Sequence, residues 1–204
     1  MTSALRPRVL NVGSSDRNVP IPPHYAGWDN VLLDIDARVQ PDIVCDARQL
    51  TQLPGAQFDA VYCSHNFEHY YPHDGRAVLR GFLHVLRSDG FAEIRVPDLQ
   101  SVMQKVIDSK LDIEDTLYLS AAGPITVRDV IFGYEQEIEE SGQDFYAHKT
   151  GFTDRSLYMI LRQAGFGDIF VSVAAKIFEV RAYAFKGSPT PQQRALLKLP
   201  DSPS

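Results

Sequence analysis

Phe58-Asp59-Ala60-Val61-Tyr62-Cys63, then Gly75 to Leu86, then Phe91-Ala92-Glu93-Ile94-Arg95-Val96: the order of these three segments decides the fold. The outer two are short apolar runs. The middle one sets Val78, Leu79, Phe82, Leu83, Val85 and Leu86 at helical spacing, and Ser88-Asp89-Gly90 ends it in a turn. Strand, helix, strand is the repeating unit of a doubly wound α/β sheet. Upstream, Arg8 to Gly13, Val31 to Ile35 and Asp42 to Cys45 read as three more strands, apolar enough to be buried on both faces. Downstream, Asp154 to Ala164 reads as a helix closed by Gly165. Asp168 to Ala174 and Glu179 to Phe185 follow as strands. The linker 175–178 is too short for a crossover helix, so this last pair must run antiparallel.

The expectation is a mostly parallel, seven-stranded, Rossmann-like sheet finishing in an antiparallel hairpin. It occupies residues 1–186 as one domain. Residues 99–150 are an insertion after the fifth strand, with helices over Leu99 to Ile107 and Val127 to Glu140, and they overhang the edge where such sheets bind ligands. We read them as a lid or substrate cap. Residues 187–204, with four prolines and three serines, read as a flexible tail.

The composition is that of a globular domain: 44% apolar, 23% charged, net charge -6. No basic stripe marks a nucleic-acid binder. Cys45 and Cys63 sit in apolar runs outside any metal-type spacing and read as buried thiols of a reducing compartment. No apolar run is long enough for a bilayer, and Met1 to Pro7 has no secretory pattern. The expectation is a cytoplasmic protein with a small-molecule or glycan substrate, no nucleic-acid or membrane partner, and a homodimer left open.

Glycine at the end of the first strand, Gly13, lets a ligand approach the backbone, with Ser14 and Ser15 after it. Asp34, ending the second strand beside Ile35, can accept from both hydroxyls of a ribose; Asp36 is the competing choice. Both features also suit NAD, as in an NAD-dependent oxidoreductase. Against it, G-x-G-x-x-G is missing, and Pro20, Pro22 and Pro23 forbid the helix whose N-terminus a pyrophosphate wants. Asp46-Ala47, ending the third strand, can meet an adenine, or Asp46 can be a plain turn residue. Ser64 and His65 lie beside the topological switch point, and His65 is a candidate base. Glu68 is explained by the dipole of a first helical turn, and His69 reads as a packed histidine.

The ordered series VLNVG, GWDNVLLDID, PDIVCDARQL, FDAVYCSHNFEH, HVLRSDGFAEIRVPDL and HKTGF resembles class I S-adenosylmethionine-dependent methyltransferases over residues 8–186. It is most similar to predicted bacterial members that read LNLGCG, GWINVDID, SHVLEH, LKPGG, VPDL and HKxGF. The resemblance implies S-adenosyl-L-methionine as cofactor. Gly13, Ser14 and Ser15 then lie against its methionine part, Asp34 and Ile35 hold the ribose, Asp46 and Ala47 meet the adenine, and Ser64 and His65 border the methyl. Ser15 stands where the family has its second glycine. A non-catalytic binding protein with the same fold is the alternative. His65 and His148 are the catalytic candidates, with Tyr134, Tyr146 and Asp98 as further candidate bases in or near the lid; His148 also suits a lid anchor. No local spacing suggests a metal ligand set, and none is expected.

Overall fold

A computed structural model describes residues 6–14, 16–120 and 123–201. Seven strands form the main sheet: β1 (Arg8–Val12), β2 (Asp29–Asp34), β3 (Ile43–Val44), β4 (Phe58–Ser64), β5 (Leu86–Pro97), β8 (Ile169–Ala174) and β9 (Glu179–Phe185). Their order is β3-β2-β1-β4-β5-β9-β8. Strands β1 to β5 are parallel, and β9 runs antiparallel to both β5 and β8. The expected doubly wound sheet and its closing hairpin are both present. The strand order reverses at β1 and β4, so their carboxyl ends open a crevice there.

Alternation along the strands builds two apolar layers. Leu10, Val12, Val61, Cys63, Ala92 and Ile94 face one side, under α1 (Pro72–Val85) and α5 (Asp154–Ala164). Gly81 lets α1 approach the turn 47–52: a Cβ there would meet the Leu50 Cβ at 2.6 Å. Strand β5 begins earlier than expected, at Leu86. Its register against β4 shifts between Phe58 and Ala60, so Ser88-Asp89-Gly90 is taken up as an irregularity inside the strand.

The other side is unusual. Among the described residues no α-helix lies between β1 and β2, as the prolines dictate. A single 3-10 turn, Pro23–Tyr25, stands in its place and lays Tyr25 on the sheet. Tyr25 packs with Trp28, Tyr62 and Phe91, at ring-centroid distances of 5.3, 5.9 and 6.3 Å. Beside it lies α6 (Pro191–Leu197), whose Leu197 joins Phe170 and Phe185. This differs from the flexible tail expected over 187–204. A capping box of Thr190 and Gln193 starts the helix, and the Gln193 side chain also donates to the Asp89 carbonyl at 2.7 Å.

The insertion leaves and rejoins the sheet at one point. Leu99 N–H donates to the Phe152 carbonyl at 2.9 Å, and Asp98 N–H to the Phe178 carbonyl at 2.8 Å. It contains α2 (Leu99–Ser109), an antiparallel hairpin of β6 (Thr116–Ser120) and β7 (Gly123–Thr126), α3 (Val127–Phe132) and α4 (Glu135–Ser141). The hairpin was not anticipated. The helix expected over 127–140 is broken at Gly133, which has φ 102° and passes so close to the Tyr146 carbonyl that a Cβ would lie 2.6 Å from it. Val102, Leu117, Val127 and Val130 give the insertion a small core of its own. No helix among the described residues is long and apolar enough to cross a membrane.

Candidate functional site

The carboxyl ends of β1, β2, β3 and β4 open into a cleft of about 550 Å³, roofed by the insertion. Of the residues singled out in the sequence, Gly13, Asp34, Ile35, Asp46, His65 and His148 line it. Tyr134 and Tyr146 join them from the insertion. Ala47 is buried in the main core and does not line the cleft. The Ser14 hydroxyl donates to the Asp16 carbonyl at 3.1 Å. Ser15 lies outside the described residues. Asp98 is not at the cleft: it is buried as the N-cap of α2, with its carboxylate bonded to Gln100 and Ser101.

Gly13 has φ 75°, and its N–H donates to the Leu33 carbonyl at 2.9 Å. A Cβ at this position would overlap the side-chain amide of Asn66, so glycine is needed for space as well as for backbone conformation. Asn66 was not singled out in the sequence. Its Oδ1 accepts from the Tyr70 hydroxyl at 3.2 Å, which holds the amide against the glycine.

The choice between Asp34 and Asp36 is clear in space. Asp36 is taken by Arg38, which holds it down to about 2, and it accepts from the Tyr146 hydroxyl at 3.4 Å. Asp34 lines the cleft, and its Oδ1 accepts from the Asp36 N–H at 2.8 Å. Burial raises the Asp34 carboxyl, against the pull of that bond. A half-buried carboxylate with spare acceptor capacity suits a pair of hydroxyl donors. Asp46 is less free. Arg48 grips both its oxygens, at 2.6 Å for the closest, and this outweighs burial to lower the carboxyl.

His65 follows β4 with φ 48°, a sparsely populated conformation outside glycine. Its Nε2 lies 3.4 Å from Glu179 Oε2 and its Nδ1 3.6 Å from Glu68 Oε1. Desolvation opposes protonation, but the two carboxylates prevail and raise His65 to about 10. Its ring is half-exposed, so water screens part of that pull. Such a histidine is a cation at neutral pH, which positions and stabilises charge better than it accepts a proton.

His148 is held as a lid anchor. Its Nδ1 is 2.9 Å from the Val130 carbonyl, and its N–H donates to the Phe132 carbonyl. Burial lowers it, against the nearby Glu68, so the ring is neutral. The next two residues, Lys149 and Thr150, both donate backbone N–H groups to the Glu68 carbonyl, at 2.9 and 3.2 Å. The segment after the insertion is thereby tied to the turn after β4. It brings Glu68, His69 and His148 together with donor atoms within 4.8 Å of one another. The sequence reading, which weighed only local spacing, gave no sign of this cluster.

A methyltransferase domain family model matches residues 28–94, about a third of the chain, from β2 to β5. No curated protein matches. Among solved structures, the 1,6-didemethyltoxoflavin-N1-methyltransferase of Burkholderia thailandensis, with bound 1,6-didemethyltoxoflavin and S-adenosylhomocysteine, is 18% identical at a TM-score of 0.52. The match covers 90% of this chain and 72% of that one. A S-adenosylmethionine-dependent methyltransferase from Archaeoglobus fulgidus is 16% identical at 0.52, over 89% and 86%. A Pyrococcus horikoshii protein is 12% identical at 0.57, over 88% and 82%. The chain shares the fold of these S-adenosylmethionine-dependent methyltransferases, as the resemblance seen in the sequence led us to expect.

Proposed function

We propose that this chain, with the fold of class I methyltransferases and a methyltransferase-type segment at its centre, binds S-adenosyl-L-methionine and transfers its methyl group to a small-molecule or glycan acceptor. The observation that carries the reading is the meeting of Gly13, Asp34 and Asp46 at one cleft whose first strand is followed by a 3-10 turn. A slot lacking that helix N-terminus disfavours a pyrophosphate and accommodates an adenosine joined to an amino acid. The B. thailandensis enzyme, with S-adenosylhomocysteine bound, supports the same cofactor.

The residues fit the cofactor in part. Asp34 would hold the ribose hydroxyls, and Gly13 with Asn66 would border the methionine portion. Asp46 would need to share its carboxylate with Arg48 to meet an adenine amine. The cofactor supplies an already activated methyl group. The chain's own task is then to place a nucleophile in line with it, a contribution of roughly 7–11 kcal/mol in well-oriented systems. Residues 99–150 would act as the lid. Tyr134 and Tyr146 offer flat walls for a ring, and the Tyr146–Asp36 bond ties the lid to the turn after β2. His65 would bear positive charge beside the acceptor.

Calorimetric titration with S-adenosylhomocysteine tests the core of this reading. Binding at one site is the expected result; no heat and no thermal shift would sink it. The alternative, a binding protein that has lost turnover, draws on Arg48 clamped across Asp46. It predicts binding without methyl transfer to any acceptor in a radiolabelled screen.

A further inference from the structure

The turn after β4 buries a carboxylate, Glu68, that makes no hydrogen bond and has the His65 cation, shared with Glu179, at 3.6 Å. Glu68 is 1% exposed, and neither of its oxygens has a hydrogen-bond partner among the described residues. An ionised carboxylate buried this way costs several kcal/mol unless a cation or donors compensate it. The two nearest histidine nitrogens, His65 Nδ1 and His148 Nε2, stand off at 3.6 and 3.9 Å, too far for hydrogen bonds.

The ring orientations sharpen the problem. His148 Nδ1 faces the Val130 carbonyl and His69 Nδ1 the Ala147 carbonyl, at 2.9 and 3.2 Å. A carbonyl only accepts, so each Nδ1 must carry the proton. In a neutral ring, Nε2 is then a bare lone pair. His148 Nε2 therefore points a lone pair at Glu68 Oε1. A backbone carbonyl fixing one ring nitrogen so that the other can ligate is the usual support of a metal-bound histidine. The two rings pack edge to face at 4.8 Å.

We propose that Glu68, His69 and His148 form a binding site for a divalent transition-metal ion at the floor of the cleft. Two imidazoles and one carboxylate favour Zn²⁺, Mn²⁺ or Co²⁺ over Mg²⁺ or Ca²⁺, which prefer all-oxygen sets. Donors now within 4.8 Å must close to about 3.3 Å around such an ion, given bonds of about 2.0–2.1 Å. No hydrogen bond holds the Glu68 carboxylate against such a shift. Three protein ligands leave positions open toward the cleft, which His69 and His148 line. If the transferase reading stands, those positions receive an oxygen of the acceptor. The ion would then orient that oxygen and lower its pKa, which selects acceptors bearing a hydroxyl or carbonyl next to the methylated atom.

The untagged full-length chain, stripped with chelator, is titrated with Co²⁺ under visible spectroscopy and with Zn²⁺ by calorimetry. One equivalent should bind, with d–d bands. E68Q and H148A should each weaken binding at least tenfold, while H73A, at an exposed histidine, binds as the parent does. S-adenosylhomocysteine titrations of the same variants report folding and separate the two readings: cofactor binding that persists while metal binding is lost supports the site. Metal binding without cofactor binding in the parent leaves the site standing and removes the transferase. No Co²⁺ bands and no Zn²⁺ heat in the parent overturn the site, as does binding undiminished in E68Q and H148A, or heat with Mg²⁺ alone.

Discussion

Asp34 and Gly13 show two different ways in which one residue can be required at the cleft. Asp34 acts through charge. Desolvation raises its carboxyl, and the backbone N–H groups of Asp36 and Ile35 only partly offset this, so donors from a ligand would be well rewarded. A hydrogen bond to a charged group contributes about 1.5–3 kcal/mol. Asp34→Ala should therefore weaken S-adenosylhomocysteine tenfold or more, and unchanged calorimetric affinity would remove Asp34 from the site. Gly13 acts through shape. Any Cβ there needs φ near 75° and displaces the Asn66 amide. Gly13→Ala should cost about 2–3 kcal/mol in urea unfolding, from backbone strain plus overpacking. Combining it with Asn66→Gly should recover part of that cost. Strict additivity in this double-mutant cycle would show that the overlap is not the cause.

Elements were legible in the sequence where a strong local period decided them, and obscure where contacts across the fold did. The unit of β4, α1 and β5 follows from apolar runs around a helical stripe. The final hairpin follows from a linker too short to cross over. The β6–β7 hairpin carries no charge, and Leu117 alone of β6 is buried, so its burial does not follow the alternation by which a half-buried strand is recognised. Gly133 ended α3 through contact with residues beyond α4, which no local pattern reports. For the same reason the cluster around Glu68 was invisible: it exists because backbone bonds join the turn after β4 to the segment after the insertion. Strand β5 adds a further case. Its apolar run contains Glu93, fully buried, which accepts from Arg95 at 2.7 Å and lies 2.8 Å from His24. Burial raises this carboxyl, but His24 and Arg95 outweigh it and hold it below its usual 4.5. Its contribution to stability is present above that value and is lost as pH falls through the lower, folded one. Glu93→Gln should cost up to about 3 kcal/mol at neutral pH, since the nearest carboxylate it leaves to Arg95 is Glu179, at 3.9 Å. It should also flatten the acid limb of the stability curve below about pH 4.5. A variant whose acid denaturation parallels the parent's would assign that limb to other carboxylates.

At the scale of the whole molecule, the two faces of the sheet are defended differently. One is covered by α1 and α5, long amphipathic helices that pack across several strands. On the other, three prolines have removed the helix after β1, and an aromatic cluster with a short C-terminal helix does its work. That cover depends on few residues. Leu197 and the partly buried Leu199 are what α6 and its exit bring to Phe170 and Phe185. Fully burying a leucine is worth about 1.5–3 kcal/mol and Leu199 is only partly buried, so the pair contributes about 2–5 kcal/mol. This is a large share of the 5–15 kcal/mol that usually separates folded from unfolded chains. The cleft lies at the carboxyl ends of β1 to β4, away from this face's α6 edge, so stability and ligand binding should separate. A chain ending at residue 187 should lose roughly 10 °C in Tm, at about 2–4 °C per kcal/mol for this size. It should bind a hydrophobic dye that the full chain ignores, yet keep its affinity for S-adenosylhomocysteine at temperatures where it stays folded. Unchanged Tm with no dye binding would mean that α6 covers nothing the sheet needs covered. Lost affinity in the folded truncated chain would mean that the second face supports the cleft directly, through the chain of contacts from His24 and Glu93 to Arg95, Glu179 and His65.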